Sequence, residues 1–203
     1  MGIVERKERE RSEMRQRIID AAMHMFVEDG YNKTSIRNIA ESIEYSPATI
    51  YLYYKDKDEL LYAVQREAYD KLFEAFRQTA ADPDPWKRLE QICKTYVQFG
   101  LENEELYDLM FIIRSPMNVD ERIHENNGKD CFVYVVDCLK ECMEKGLVRF
   151  EDPYVAVLSV WAMGHGLVSL QVRCRLKVMD QQVDDIVPLL YRSIDEYLRQ
   201  IKR

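Results

Sequence analysis

Apolar residues recur along nearly the whole chain at intervals of three and four, the spacing that lines one face of an α-helix. No run alternates as a half-buried strand would. Ile18, Ala22, Met25 and Phe26 form a first stripe that stops at Asp29-Gly30, a helix terminator. Ile36, Ile39, Ala40 and Ile43 form the next, with Thr34 as its predicted N-cap. Ser46-Pro47 opens a short third helix, with Ser as cap and Pro at the first helical position. Asp56-Lys57-Asp58-Glu59 resembles a capping box that starts a long helix through Leu60, Val64, Ala68 and Leu72.

That helix is predicted to end before Asp82-Pro83-Asp84-Pro85, the clearest linker in the chain. Trp86, Leu89, Ile92, Tyr96 and Phe99 mark a fifth helix, and Leu106 to Ile113 a shorter sixth. Ser115-Pro116 through Asn126-Asn127-Gly128 reads as a loop-rich connection, and Cys131 to Lys145 as a helix closed by Gly146. Asp152-Pro153 caps an uncharged helix. Asp184 or Asp185 caps the last one, with Pro188 in its first turn, where a missing N–H costs little. The expected fold is all-α, with about nine helices. Residues 1–56 form a three-helix head, a long helix over 57–80 links it onward, and residues 57–203 form a helical body.

Composition narrows the class. At 203 residues, 47% hydrophobic and 32% charged, with only 7 Gly and 6 Pro, the chain suits a folded protein with a sizeable core. Five Cys is an odd count, and the opening MGIVERKERERSEMRQ has no apolar signal-peptide core, so a reducing cytoplasm is expected. Tyr154 to Val172 lacks Asp, Glu, Lys and Arg and reaches spanning length. It carries His165, Gln171, two Ser and two Gly, which fits a helix buried on two sides better than a membrane span. The net charge of −7 lies in residues 58–203, because residues 1–57 hold ten basic and ten acidic side chains. A neutral end on an acidic body suits a protein that meets a polyanion with one end only.

The segment TSIRNIAESIEYSPATIYLYYKDKDELL places two short helices around a tight turn at Ile43-Glu44-Tyr45. That is a helix-turn-helix, whose second helix enters the major groove while the first crosses the backbone. Ser46, Pro47, Ala48 and Thr49 sit at the start of the recognition helix, where backbone N–H groups and small side chains approach phosphates and base edges. Tyr51 and Tyr53 offer hydroxyls, and Lys57 a cation at another helix N-terminus. Thr34 and Thr49 combine capping with phosphate contact, Ser35 stands beside them, and Arg37 either reaches a base or stays solvated. Tyr54 is expected in the core.

These residues resemble the tetracycline-repressor (TetR) family of bacterial transcription regulators. The resemblance runs through I-x-x-A-A-x-x-x-F-x-x-x-G-Y (Ile18 to Tyr31), T-S-I-R-N-I-A (Thr34 to Ala40) and T-I-Y-x-Y-Y-K-x-K-x-E-L-L (Thr49 to Leu61). It implies a homodimer with DNA-binding heads, a double-stranded operator, a small-molecule effector held by the fourth to eighth helices, and a dimer seam formed by the last two. One departure stands out: Glu44 occupies the turn where the family usually has Gly. If φ is positive there, Glu costs on the order of 1 kcal/mol more than Gly.

In the body, Leu158, Trp161, Ala162, His165 and Val168 form one stripe of the uncharged helix, and Val157, Val160, Gly164, Leu167 and Cys174 another. Gly164 and Gly166 would allow close backbone approach. Trp161-Ala-Met-Gly-His165-Gly166 resembles the W-x-x-x-H-G signature of one C-terminal subgroup of the family. The candidate ligand-lining residues are Tyr96, Phe99, Tyr107, Met110, Phe111, Tyr134, Cys138, Trp161 and His165, which would favour a mainly apolar or aromatic effector. The same residues read equally as core.

Cys131, Cys138 and Cys142 share a helical face, but no His lies at ligand spacing and no C-x-x-C occurs. They read as buried small side chains rather than a metal or redox site. No catalytic motif or phosphate loop appears, so neither enzyme activity nor a cofactor is expected. Two alternatives stay open: an activator on the same fold, or a helical module that uses residues 34–57 on a protein partner.

Overall fold

The computed structural model describes residues 2–113, 127–179 and 185–203. Among these are nine α-helices: α1 (Ile3–Glu28), α2 (Ile36–Ser42), α3 (Pro47–Tyr51), α4 (Lys57–Thr79), α5 (Pro85–Glu102), α6 (Glu104–Tyr107), α7 (Lys129–Glu144), α8 (Pro153–Val172) and α9 (Ile186–Ile201). A π-helical turn, Asp108–Ile112, continues α6, and a 3₁₀ turn, Arg175–Met179, follows α8. No strand occurs among the described residues; Val148 and Lys202 form one isolated antiparallel bridge. The predicted connection over Ser115–Asn126 and the alternative cap Asp184 lie outside the described residues.

The chain divides into two compact units within α4 rather than at its start. The first comprises Met1–Tyr69 with Glu105–Asn127, the second Asp70–Glu104 with Gly128–Arg203. A boundary at residue 57 misses this because the α4 side chains Gln65 and Tyr69 hydrogen-bond carbonyls of the π turn.

In the first unit the predicted stripes point inward. Ile18, Ala22 and Phe26 of α1, Ile36, Ile39 and Ala40 of α2, Ile50 of α3, and Leu60, Leu61 and Val64 of α4 are all buried. Ser35, not Thr34, caps α2: its hydroxyl accepts from Asn38 N at 3.2 Å, and Asn38 Oδ1 accepts from Ser35 N at 3.1 Å. Thr34 is turned into the core, within hydrogen-bond reach of Met25 O (3.1 Å) and Gly30 O (3.0 Å), which closes the end of α1. The expected capping box at α4 forms one residue displaced. Asp56 Oδ1 accepts from Glu59 N at 2.8 Å, while Glu59 Oε2 accepts from Lys55 N at 2.6 Å rather than from Asp56 N.

The α2–α3 turn is a Schellman motif. Tyr45 N donates to Ala40 O (2.9 Å) and Glu44 N to Glu41 O (3.1 Å), the paired bonds that satisfy the last carbonyls of a helix. This geometry needs a left-handed residue at Glu44, and its φ is 63°.

In the second unit the acidic linker is a tight corner: Asp84 Oδ1 accepts from Trp86 N at 2.9 Å and caps α5, with Pro85 in its first turn. Asp152 and Asp185 cap α8 and α9 in the same way. Helix α5 buries Trp86, Leu89, Ile92, Cys93, Val97 and Phe99; α7 buries Cys131, Val136, Cys138, Leu139 and Cys142; α9 buries Leu190, Ile194 and Leu198. Lys94 pairs with Asp195 at 2.9 Å and joins α5 to α9.

Helix α8 is long and apolar enough to cross a membrane, yet one stripe of it, Ala156, Val157, Val160, Gly164 and Val168, packs inward. Its other stripe is bare: Tyr154, Val155, Leu158, Trp161 and Leu170 are 42–63% exposed. Only one of the two glycines expected to admit a close neighbour does so. A Cβ on Gly164 would lie 3.2 Å from the Tyr96 ring, whereas one on Gly166 would meet nothing within 4 Å. Cys174, expected on an apolar stripe, is exposed with φ 54° just past the helix end.

The left-handed conformation at Glu44 yields a direct expectation. Glu44→Gly removes a steric cost of about 1 kcal/mol and should raise the urea midpoint of the full chain. A lower midpoint would show that the Glu44 side chain contributes more than its backbone loses.

Candidate nucleic-acid interface and body cluster

Helix α3 is short, and its composition sorts its faces. Ile50 and, beyond the helix, Tyr54 are buried, so Ser46, Ala48, Tyr51 and Leu52 are left exposed, with Pro47, Thr49 and Tyr53 half-buried. Ser46 caps the helix through its backbone, and its hydroxyl meets the Thr49 hydroxyl at 3.3 Å. Pairing these two short side chains holds both at the helix start, beside N–H groups that lack helical partners.

Arg17 of α1 steadies this end. Its guanidinium donates to Ile43 O at 3.0 Å and lies 5.3 Å from the centre of the Tyr45 ring. One side chain thus ties α1 to the α2 cap and to the residue that leads into α3. Spacing along the sequence gives no sign of this contact, because its partners are 26 and 28 residues away. Leu52, 75% exposed, and the exposed Lys55 are further outward groups that the sequence reading passed over. Their signal was present: both lie in T-I-Y-L-Y-Y-K, where Ile50 and Tyr54 alone take the core positions.

The remaining candidates differ in how they are held. Ser35 is exposed but engaged with Asn38. Arg37 projects into solvent and pairs with Glu41 at 2.9 Å. Thr34 is 3% exposed and directs its hydroxyl to backbone. Lys57 Nζ donates to Tyr31 O (2.9 Å) and Thr34 O (3.1 Å) and lies 4.0 Å over the Tyr31 ring, while the Tyr31 hydroxyl donates to Asp58. Burial moves the Lys57 ammonium below its usual value, and burial together with Asp58 pushes the Tyr31 phenol up. Lys57 therefore braces the first turn of α4 against the α1–α2 loop.

The candidate ligand residues fall into both units. In the first, Tyr107 and Met110 are buried, Phe111 packs on Tyr107 (centroids 4.9 Å) and edge-on to Tyr69 (5.5 Å), and Tyr69 OH donates to Met110 O at 3.2 Å. Buried Gln65 donates to Leu109 O at 2.7 Å and accepts from Asn127 Nδ2 at 3.4 Å. In the second, Phe99 is buried, Tyr134 stacks on Phe76 and donates to Ala80 O at 2.7 Å, and the Cys138 thiol donates to Pro85 O at 3.3 Å.

Tyr96, Trp161 and His165 meet in the second unit. The Trp161 indole N–H donates to Tyr96 OH at 3.2 Å, and that hydroxyl lies 3.4 Å from His165 Nδ1. Indole nitrogen only donates, so the phenol oxygen accepts from it and turns its own proton to Nδ1, which places the imidazole proton on Nε2. Gly164 lets the Tyr96 ring approach closely enough for this. Burial moves the His165 pKa below its ordinary value, so the ring is neutral. Among the described residues no group of three or more His, Cys, Asp or Glu is placed to hold a metal.

A braced helix-turn-helix head, followed by a long helix and a helical body, defines a ligand-responsive transcription regulator. Residues 18–64 match the bacterial regulatory proteins of the tetR family, and residues 89–194 match the tetracyclin repressor-like C-terminal domain. The chain belongs to the tetracycline-repressor family, as its head motifs imply. The HTH-type transcriptional regulator HbdR of Aromatoleum sp. (strain CIB) is 25% identical over 161 residues, 75% of this chain and 70% of that protein. The fatty-acid regulator FadR of Bacillus subtilis, solved with stearoyl-CoA, superposes with TM-score 0.68 at 20% identity, over 91% of this chain and 95% of that one. A TetR family regulator from Marinobacter aquaeolei VT8 gives TM-score 0.67 at 19% identity, over 97% and 98%. At these identities the solved structures speak to the fold alone. Regulators of this family are typically not enzymes.

The neutral His165 makes stability depend on pH. Its folded pKa lies below the unfolded value of about 6.5, so as pH falls through that value the unfolded chain takes up the proton first and stability drops. The loss in melting temperature between pH 7.5 and pH 5.5 should be smaller in His165→Gln than in the unsubstituted protein. An equal loss in both would remove His165 as a source of the acid sensitivity.

Proposed function

We propose that this protein is a cytoplasmic repressor that binds a near-palindromic operator as a homodimer and is released by a small, mainly apolar or aromatic effector. The observation that carries the DNA reading is the exposed start of α3, with Ser46, Ala48, Thr49, Tyr51 and Tyr53 outward and the turn before it braced by Arg17. In a dimer, two such helices enter successive major grooves about 34 Å apart. Thr34, Ser35, Arg37, Pro47 and Lys57 complete the proposed contact set. Thr34 acts there through the loop it closes, and Lys57 through a helix start that it braces.

The bare stripe of α8 supports the dimer. Tyr154, Val155, Leu158, Trp161 and Leu170 together form an apolar face, which a second copy of the chain would cover along α8 and α9. The effector reading rests on the Tyr96–Trp161–His165 trio, with Phe99, Tyr134 and Cys138 on neighbouring helices, and it keeps the W-x-x-x-H-G subgroup as a proposed assignment. Tyr107, Met110 and Phe111 take a second role, coupling to α4. Gln65 and Tyr69 fasten that helix to the π turn through Leu109 O and Met110 O, so a shift of α4 alters the first unit. Repression is relieved only if the effector binds the DNA-incompetent state more tightly. Stearoyl-CoA, held by a structural neighbour, is the first probe to try.

Selection of the full-length protein against a randomised duplex pool should enrich an inverted repeat, with affinity falling steeply as salt rises. Lys57→Ala should weaken binding to all sequences alike and lower the salt slope by about one. No enrichment, with salt-insensitive binding, would favour the protein-interaction module that the uncharged balance of residues 1–57 suggests. An unchanged slope in Lys57→Ala would remove Lys57 from the contact set.

A further inference from the structure

Cys138 and Cys142 lie one turn apart on α7, both buried, and neither is accounted for by DNA reading. Three groups meet them. The Cys138 thiol donates to Pro85 O at 3.3 Å. The Cys142 thiol is hydrogen-bonded to the Cys138 sulfur. Arg88 of α5 also reaches that sulfur, and it is itself held by Glu141 at 2.6 Å and by Asp82 O at 3.1 Å. The Arg88 side chain is 15% exposed and that of Glu141 is 47% exposed, so this ion pair forms the solvent-side cover of the two sulfurs.

We infer that Cys138 and Cys142 form a dithiol that a hydroperoxide oxidises reversibly to an intrahelical disulfide, with Arg88 as the positioning cation. The two thiols have opposite tendencies. The Cys142 thiol first, and Arg88 after it, hold the Cys138 thiol below its ordinary range against the opposing effect of burial. Cys142 is pushed well above that range, first by its bond to Cys138 and then by burial. Cys138 is thus the sulfur that ionises, and Cys142 the one that keeps its proton.

The chemistry balances with the hydroperoxide as the only added reactant. The Cys138 thiolate attacks one peroxide oxygen, the O–O bond breaks, and the other oxygen leaves as water or alcohol after taking up a proton. Cys138 becomes a sulfenic acid. The Cys142 sulfur then displaces its hydroxyl, which departs as water with the Cys142 proton, and the S–S bond forms. Two thiols lose two electrons and the hydroperoxide gains them.

Helix geometry makes the product reversible. Side chains four apart on a helix have Cβ atoms about 6 Å apart, whereas a disulfide needs about 3.8 Å. Closing the bond therefore unwinds the last turn of α7, where Lys145 N, Gly146 N and Leu147 N donate to Glu141 O, Met143 O and Cys142 O. A bond that strains its helix is readily reduced. The cysteines outside the pair lack this arrangement. Burial pushes the Cys93 and Cys131 thiols up to about 12, and Cys174 stands alone on the surface.

Trypsin cuts after Lys129, Lys140 and Lys145, so Cys138 and Cys142 fall in adjacent peptides, 130–140 and 141–145. The full-length protein is exposed to hydrogen peroxide, blocked with iodoacetamide and digested without reductant. The expected product is the pair 130–140/141–145 linked through Cys138, lost on later treatment with dithiothreitol. In Cys142→Ser the link should vanish and dimedone should trap Cys138 as its sulfenic acid. Arg88→Gln should slow formation of the link. Quantitative alkylation of Cys138 after peroxide, or linkage through Cys131 or to Cys93 instead, would overturn the inference. Because the unsubstituted protein alone decides between these outcomes, the result stands even if a variant folds poorly.

Discussion

Everything the head does depends on the direction in which α3 leaves α2, and one backbone conformation sets that direction. Glu44 sits at φ 63°, so Ala40 O and Glu41 O receive Tyr45 N and Glu44 N, and the chain reverses within three residues. A non-glycine residue in this region costs about 1 kcal/mol and persists only where its surroundings determine it. Arg17 is the surrounding that does so, since it holds Ile43 O and covers Tyr45. Ile50 and Tyr54 anchor the far side of α3, which leaves its start projecting.

Helix α4 extends the same logic into the rest of the chain. Its first turn is fixed by Lys57 on two loop carbonyls, and its middle by Gln65 and Tyr69 on carbonyls of the π turn. A π turn leaves backbone acceptors that an α-helix would have satisfied internally, and such turns often sit at functional points. Here α4 side chains answer those acceptors, so a helix common to both units is held by polar contacts of defined direction rather than by apolar packing alone.

Much of this was legible because it is local. The stripes Ile18–Phe26 and Ile36–Ile43, the Ser46-Pro47 start, and the caps at Asp152 and Asp185 all follow from spacings of four residues or fewer, and all appear as read. Neighbouring residues of similar chemistry were harder to separate. Thr34 and Ser35 each suit an N-cap, and only burial of the Thr34 methyl decides between them. Gly164 and Gly166 are both small, and only Gly164 faces a ring. Long-range contacts left no periodic trace. Arg17, the carbonyl partners of Lys57, and the meeting of Tyr96 with Trp161 and His165 join residues 23 to 69 positions apart.

The central claim is that the turn, held by Arg17, aims α3 at DNA. The most direct measurement compares Arg17→Gln with the unsubstituted protein on the selected duplex across a salt series. The account expects affinity to fall by about tenfold or more with the salt slope unchanged, because an aiming contact has been lost and no phosphate contact with it. Unchanged affinity would contradict the account. A slope lowered by about one would contradict it too, by making Arg17 a phosphate ligand instead of a brace.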